Sequence, residues 1–294
     1  MENSAKQKIA FIGTGVMGAS MAGHLLAAGY PVCVYNRTRS KADALVEAGA
    51  VWKDSPFEAA QGADVVITIV GYPSDVEAIY LGERGIVSAL GEGAIAVDMT
   101  TSSPLLAQRI AEVAGRRGIG VLDAPVSGGD LGAREACLSI MVGGARIDFE
   151  KAKPILAAMG KNIVYQGEAG SGQHTKMCNQ IAIAGGMVAI GESMAYAKKA
   201  GLDAETVLES ISAGAAGSWS LSNLVPRALK GDYSPGFFVK HFVKDMKIAL
   251  ESAEEMQLEL SGLAMAKRLF DELVATGGEE DGTQALFRLF WERE

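Results

Sequence analysis

"KIAFIGTGVMGASMAGHLLAAG", residues Lys8 to Gly29, decides the fold. A short apolar run leads into the turn Gly13-Thr14-Gly15-Val16-Met17-Gly18, and a stretch of helical period follows. A lone G-x-G-x-x-G says little. Between a strand and a helix, at the head of an alternating β/α pattern, it reads as a dinucleotide-binding fingerprint. Gly13 permits the tight turn, Gly15 lets the backbone approach a pyrophosphate, and Gly18 allows the helix to pack closely on the strand. Val16 and Met17 sit at the helix start, where free N–H groups and the positive end of the dipole favour phosphate.

The alternation continues outward from that turn. The β-type runs "KIAFIG", "PVCVY", "DVVITIV", "AIAVDM", "IGVLDA", "LSIMVGG" and "NIVYQG" are separated by helical stretches such as "SKADALVEAG" and "SPLLAQRIAEVAGRRG". Strand and helix in series predict an α/β Rossmann-type domain with a parallel sheet. Near Gly170 the β-runs stop. The remainder reads as helices over about 171–200, 203–213, 220–230, 239–257, 262–276 and 283–291, with Pro226 and Pro235 as punctuation. The expected division is a cofactor-binding domain over 1–168 and an all-helical domain over 169–294. Gly185-Gly186, inside the long helix, suggests close packing of another helix there.

Composition narrows the class. The chain has 294 residues, 49% hydrophobic and 21% charged, as in ordinary globular proteins. A net charge of −8 with no dense basic cluster argues against a nucleic-acid partner. Residues 181–190 are apolar, but Glu192 and Lys198 follow too soon for a membrane span. "MENSAKQKIAFIG" lacks the form of a signal peptide, and Cys33, Cys137 and Cys178 suit the reduced thiols of a cytoplasmic protein. His24, His174 and His241 are isolated, so no metal site is expected.

The end of the second strand bears on which nucleotide binds. An NAD site usually places an acid there for the ribose 2′-hydroxyl. Here the residues are Asn36, Arg37 and Thr38, with no carboxylate before Asp43. A guanidinium pairs with a 2′-phosphate, so NADP(H) is the expected cofactor and NAD(H) the alternative. Arg37 and Arg39 as plain solvated charges are the competing reading.

"GSGQHTKMCNQ", Gly170 to Gln180, puts a lysine and two amides at the head of an apolar helix. The ordinary explanation is a lysine snorkelling outward beside a helix start. The other is a functional ammonium, since burying one without purpose is unfavourable.

Five stretches together, "FIGTGVMGASMAGHLLAAGYPVCVYNRT", "DMTTSSP", "LDAPVSGG", "GSGQHTKMCNQ" and "VKHFVKDMKIAL", resemble the β-hydroxyacid dehydrogenase family, which includes 3-hydroxyisobutyrate dehydrogenases and tartronate semialdehyde reductases. The resemblance runs from about residue 8 to residue 275. It implies a Rossmann-type domain, an all-helical domain and a site in the cleft between them. It implies that Ser127, Gly128 and Gly129 bind a substrate carboxylate, and that Thr101 lies near the nicotinamide. Val70, Gly71 and Tyr72 would pass the adenosine side, and Lys244 would reach the cofactor. Lys176 matches the catalytic lysine, able to take a proton from an alcohol or return one to a carbonyl, with desolvation expected to lower its pKa.

The family's helper asparagine usually lies four residues after that lysine. Gln180 holds this place here and Asn179 precedes it, so either amide could serve. The implied reaction interconverts a small β-hydroxyacid and its semialdehyde, with a glyoxylate, succinic semialdehyde or tartronate semialdehyde reductase as the variant reading. The implied assembly is a homodimer or homotetramer. A cofactor-binding module without catalysis, or an imine-reducing relative, would be expected to lack the lysine. Two residue-level alternatives stand beside these roles. Lys240, Lys244 and Lys247 by spacing alone form one solvated helix face, and Trp219 either walls a pocket or packs in a core.

Overall fold

The protein is described from a computed structural model covering residues 6–291. It divides into two compact units, Met1–Lys176 and Met177–Glu294. Among the described residues the first contains nine strands: β1 (Ile9–Ile12), β2 (Val32–Tyr35), β3 (Val51–Trp52), β4 (Val65–Thr68), β5 (Ile95–Asp98), β6 (Gly120–Asp123), β7 (Val126–Ser127), β8 (Leu138–Gly144) and β9 (Gly160–Gly167). Its helices are α1 (Val16–Ala27), α2 (Asp43–Glu47), α3 (Pro56–Ala60), α4 (Pro73–Leu81), α5 (Ile86–Ala89), α6 (Pro104–Gly115), α7 (Gly129–Arg134) and α8 (Arg146–Leu156).

The sheet order is β3-β2-β1-β4-β5-β6-β8-β7, with β9 on the other edge of β8. From β3 to β6 every pairing is parallel. Beyond β6 the direction changes locally: β8 runs antiparallel to both β6 and β7 and parallel to β9. The chain leaves β6 through Pro125 and β7, turns at Gly128 (φ 130°) into the short helix α7, and comes back as β8, an antiparallel return that needs no crossover to the opposite end of the sheet. The sheet is mostly parallel, in a Rossmann-like unit.

Apolar residues on both sides of each central strand explain why the sheet is covered on two faces. In β1, Ile9 and Phe11 join a core with Met21, Leu25 and Val97, whereas Ala10 and Ile12 join another with Val76, Tyr80 and Ile110. All four strand residues are buried. The C-terminal ends of these strands carry the loops that matter below.

Helix α9 (Ser171–Lys199) crosses the division between the units, and α10 (Ala204–Ser212), α11 (Trp219–Leu229), α12 (Val239–Glu255), α13 (Ser261–Ala275) and α14 (Arg288–Trp291) follow. The second unit is helical, around a core of Met187, Phe242, Met246, Phe270 and Phe287. Phe242 meets Phe270 edge-on at 5.0 Å.

Gly185-Gly186 is left uncovered within the single chain. A Cβ on either would meet nothing within 4 Å, so no helix among the described residues packs there. The close approach occurs at Gly191, where a Cβ would lie 2.5 Å from the Phe290 ring. No helix among the described residues is long and apolar enough to cross a membrane.

Candidate active site

The turn after β1 has the geometry its glycines imply. Gly13 has φ 101°, and a Cβ there would sit 2.1 Å from the Ile69 carbonyl oxygen. A Cβ on Gly18 would collide with the Gly13 oxygen at 1.9 Å. Gly15 differs: a Cβ would meet nothing within 4 Å, so the space beside it is open to a ligand. Gly15 caps α1 without a side-chain bond, and the first turn, Val16 and Met17 included, holds no acidic residue. That leaves its N–H groups available to an anion. The buried Thr14 hydroxyl has no hydrogen-bond partner among the described residues. An open cradle of amides beside an orphaned hydroxyl fits a dinucleotide pyrophosphate.

Asn36 braces this turn. Its Oδ1 accepts from the Thr14 N–H at 3.0 Å, and its Nδ2 donates to the Thr38 carbonyl at 2.8 Å. Arg37 extends into solvent with its side chain 90% exposed, 4.0 Å from Asp75. Arg39, also exposed, lies over the Trp52 ring at 5.4 Å. The loop after β4 is tied to the loop after β5, because the Val70 N–H donates to Thr100 Oγ1 at 2.9 Å. Gly71 and Tyr72 continue it, and the Tyr72 N–H donates to Asp75 at the start of α4. Thr101 sits half-buried beside Thr100.

The turn after β6 and the start of α9 meet within the same unit. The Lys176 side chain is buried (residue 7% exposed), and its Nζ donates to the Val126 carbonyl at 2.8 Å. Val126 immediately precedes Ser127, Gly128 and Gly129, so the ammonium stands against the turn expected to bind a carboxylate. A snorkelling lysine would point into solvent. Lys176 does not.

Two aspartates of this region carried no assigned role in the sequence. Asp98 and Asp123 each end a strand, and they are register partners across β5 and β6. Asp98 accepts from Thr68 Oγ1 at 2.8 Å and from the Thr100 N–H at 3.1 Å, and Thr68 also bonds the buried Tyr80 hydroxyl. Burial pushes the Asp98 carboxyl up to about 6 against those hydrogen bonds, with Asp123 adding to the rise. Burial likewise raises Asp123 to about 6, although backbone N–H groups of Gly170, Gly172 and Gln173 stabilise its anion. The signal was present: "IAVD" and "GVLD" both finish an apolar strand with an aspartate, where ligands of open α/β sheets gather.

In the helical unit a separate polar chain forms. Asn179 Nδ2 donates to Gln180 Oε1 at 2.7 Å, and Gln180 Nε2 donates to Asp245 Oδ2 at 2.6 Å. Lys244 Nζ lies 3.0 Å from Asp245 Oδ1. Gln180 therefore commits both ends of its amide to neighbours. Lys244 leaves the solvated-face reading, since its side chain is only 11% exposed, although Lys247 on the same helix is open. Asp245 was missed because "VKDMK" looks like surface charge. Trp219, at the start of α11, is exposed and so is not core packing.

The profile of the NAD binding domain of 6-phosphogluconate dehydrogenase matches residues 8–167, and that of the NAD-binding domain of NADP-dependent 3-hydroxyisobutyrate dehydrogenase matches 170–290. An uncharacterized oxidoreductase of Bacillus subtilis is 58% identical over 97% of this chain and 99% of its own. The 2-hydroxy-3-oxopropionate reductase of Escherichia coli is 38% identical over 95% of each chain. A solved structure of Mycobacterium tuberculosis 3-hydroxyisobutyrate dehydrogenase with L-serine superposes with a TM-score of 0.89 at 29% identity, covering 97% of this chain and 99% of that one. The dinucleotide turn, the lysine beside the "VSGG" turn and full-length similarity agree: the chain belongs to the β-hydroxyacid dehydrogenase family of NAD(P)-dependent oxidoreductases.

Proposed function

We propose that the protein interconverts a small β-hydroxyacid and its semialdehyde with NADP(H), and that Lys176 is the proton acceptor and donor. The bond from Lys176 Nζ to the Val126 carbonyl carries this reading. The amine stands one residue from the Ser127-Gly128-Gly129 turn. A serine hydroxyl and glycine N–H groups suit a carboxylate. A substrate held by that turn, with its reacting oxygen at the amine, has only a few atoms between the two. That selects a short hydroxyacid.

Bound nicotinamide would supply the hydride acceptor or donor at the carbinol carbon. The chain's own residues do the rest. Ser127 and the two glycines hold the carboxylate, and Lys176 takes the hydroxyl proton or returns it, stabilising negative charge on the oxygen while protonated. Gly13, Gly15, Val16, Met17 and Gly18 hold the pyrophosphate, with Val70, Gly71, Tyr72 and Thr101 along the same strand ends. Arg37, flanked by Asn36 and Thr38, selects the 2′-phosphate. The roles proposed for Asn179, Gln180 and Lys244 are those the family resemblance implies.

We assign cofactor binding to 1–168 and the helical part to 169–294, in a cytoplasmic homodimer or homotetramer. The exposed Tyr196 and Trp219 of the helical unit support self-association. A light-scattering mass equal to the 30.7 kDa of one chain would exclude it.

The deciding experiment is a spectrophotometric panel at ~340 nm, where reduced nicotinamide absorbs. It crosses both cofactors with 3-hydroxyisobutyrate, serine, tartronate semialdehyde, succinic semialdehyde and glyoxylate. At least one small acid should turn over, with kcat/KM about tenfold higher for NADP(H), the worth of roughly one charge-assisted contact. Arg37→Asp should erase that preference. Turnover of none of the five, or a wild-type preference for NAD(H), sinks the corresponding half of the proposal.

A further inference from the structure

The first turn of α9 is held from outside the helix. The Asp123 carboxylate, almost fifty residues earlier, accepts the Gly170 N–H on Oδ1 and the Gln173 N–H on Oδ2, each at 2.8 Å. The Gln173 side chain is completely buried, its Nε2 donating to the Thr100 carbonyl at 2.7 Å and its Oε1 accepting the Ser102 N–H at 2.9 Å. The amide thus grips the backbone on both sides of Thr101.

Glycines make room for this arrangement. A Cβ on Gly172 would stand 2.3 Å from the Asp123 carbonyl oxygen and 2.4 Å from that of Met141. A Cβ on Gly143 would stand 2.6 Å from Asp123 Oδ1 and 2.7 Å from the Gly172 nitrogen.

We propose that Asp123 and Gln173 are positioning residues, which clamp the first turn of α9 to the C-terminal ends of β5 and β6 and so place the Lys176 amine for proton transfer. Lys176 lies three residues after Gln173, about one turn along a stiff rod. Fixing that turn fixes the height and phase from which the lysine departs. A helix cap made for stability alone would need Asp123 only. It would not need a buried amide paired to both edges of the Thr101 backbone. Misplacement of a reacting group by ~1 Å lowers rate by about 10²-fold, so the clamp bears on kcat more than on binding.

This inference rests on Lys176 being the acid–base group, so Lys176→Ala is measured in parallel. The variants are Gln173→Met, Gln173→Glu and Asp123→Asn, assayed with the fastest substrate of the panel, with NADPH affinity by fluorescence titration and thermal midpoint on each. Gln173→Met should lower kcat by about 10- to 100-fold while NADPH affinity stays put. Asp123→Asn, which sets an amide N–H among backbone donors, should lower kcat in the same manner.

Gln173→Glu supplies an internal control. Its ionised carboxylate repels the Thr100 carbonyl. Once protonated, it donates there and accepts from Ser102 as the amide did. Burial keeps such a carboxyl neutral to higher pH than usual. Its kcat, divided by wild type at the same pH, should therefore rise from pH ~8.5 to ~5.5. The ratio removes the pH dependence that variant and wild type share.

A flat ratio, or Gln173→Met with wild-type kcat and only a lower thermal midpoint, overturns the clamp. If Gln173→Met fails to fold, the pH ratio of Gln173→Glu decides alone, and if both fail, kcat of Asp123→Asn does. An active Lys176→Ala would instead overturn the proposed chemistry. An inactive Lys176→Ala beside fully active clamp variants would overturn the positioning role only.

Discussion

Asp123 in the sheet unit and Asp245 in the helical unit are both buried, at 2% and 1% exposed, yet their surroundings share almost nothing. Asp123 is met by backbone N–H groups, admitted by glycines that leave room for it. Asp245 is met by side chains, the Lys244 ammonium at 3.0 Å and the Gln180 amide at 2.6 Å. Neutral donors leave a buried carboxylate with much of its desolvation penalty, which is why Asp123 and its neighbour Asp98 are raised to about 6. An ion pair offsets that penalty only while both partners remain. Asp123 is therefore held by backbone geometry and Asp245 by charge.

The largest test of this contrast is Lys176→Ala. It should cut kcat by about 10²- to 10⁴-fold, the usual worth of general acid–base catalysis, with NADPH affinity little changed. Lys176→Arg should fail nearly as badly, since a guanidinium does not release its proton at working pH. A folded alanine variant with near-wild-type kcat would mean that the site's geometry has another purpose.

Next in size is Asp245→Leu. Taking the carboxylate from Lys244 and Gln180 should destabilise the protein by about 3–5 kcal/mol in urea titration, the typical effect of breaking a buried pair. A loss below ~1 kcal/mol would put the pair in the class of surface ion pairs.

The third test concerns acid. The folded Asp98 carboxyl keeps its proton up to about pH 6, while the ordinary group loses it near 3.8. Between those values the folded state binds more protons than the unfolded one, so this group's contribution rises as pH falls. It is fully present below the unfolded value and gone above pH 6. The difference between the two pKa values corresponds to about 3 kcal/mol. Asp98→Asn should flatten that part of the stability–pH curve, measured by denaturation from pH 4 to 8. An unchanged slope would mean Asp98 titrates normally.

The smallest effect is the most selective. Gly15 has φ −70° and ψ −165°, which alanine adopts freely, and open space beside it. Gly15→Ala should leave the thermal midpoint of the cofactor-free protein unchanged while weakening NADPH by about tenfold, since the methyl occupies the ligand's approach. Gly18→Ala should instead disturb folding, because its Cβ meets the Gly13 oxygen. Equal behaviour of the two would dissolve the distinction between a glycine for ligand and a glycine for packing.

Much of the sheet unit was legible because its signals are local. The dinucleotide turn, the alternation of strand and helix and the helical remainder all follow from spacing along the chain. The reversal at β8 was not, since antiparallel pairing with β6 depends on where the chain goes after Gly128-Gly129. Gly185-Gly186 was ambiguous for a related reason: a glycine pair announces that something could approach, and the fold shows that among the described residues of one chain nothing does. Gln180 and Asn179 were named as candidates, but which partners they hold was unreadable, because Asp245 lies sixty-five residues from Gln180.

The class of fold, the dinucleotide turn and the residue types of the site can all be read along the chain. Those follow from backbone sterics and short-range periodicity, which a run of residues carries wherever it is placed. It takes the packed fold to turn Lys176 inward to the Val126 carbonyl, to set Asp123 as the cap of a helix forty-seven residues away, and to bring Asp245 to Lys244 and Gln180. A buried polar group must find a partner or keep the full penalty of leaving water, and that partner is supplied by whatever the fold brings near it.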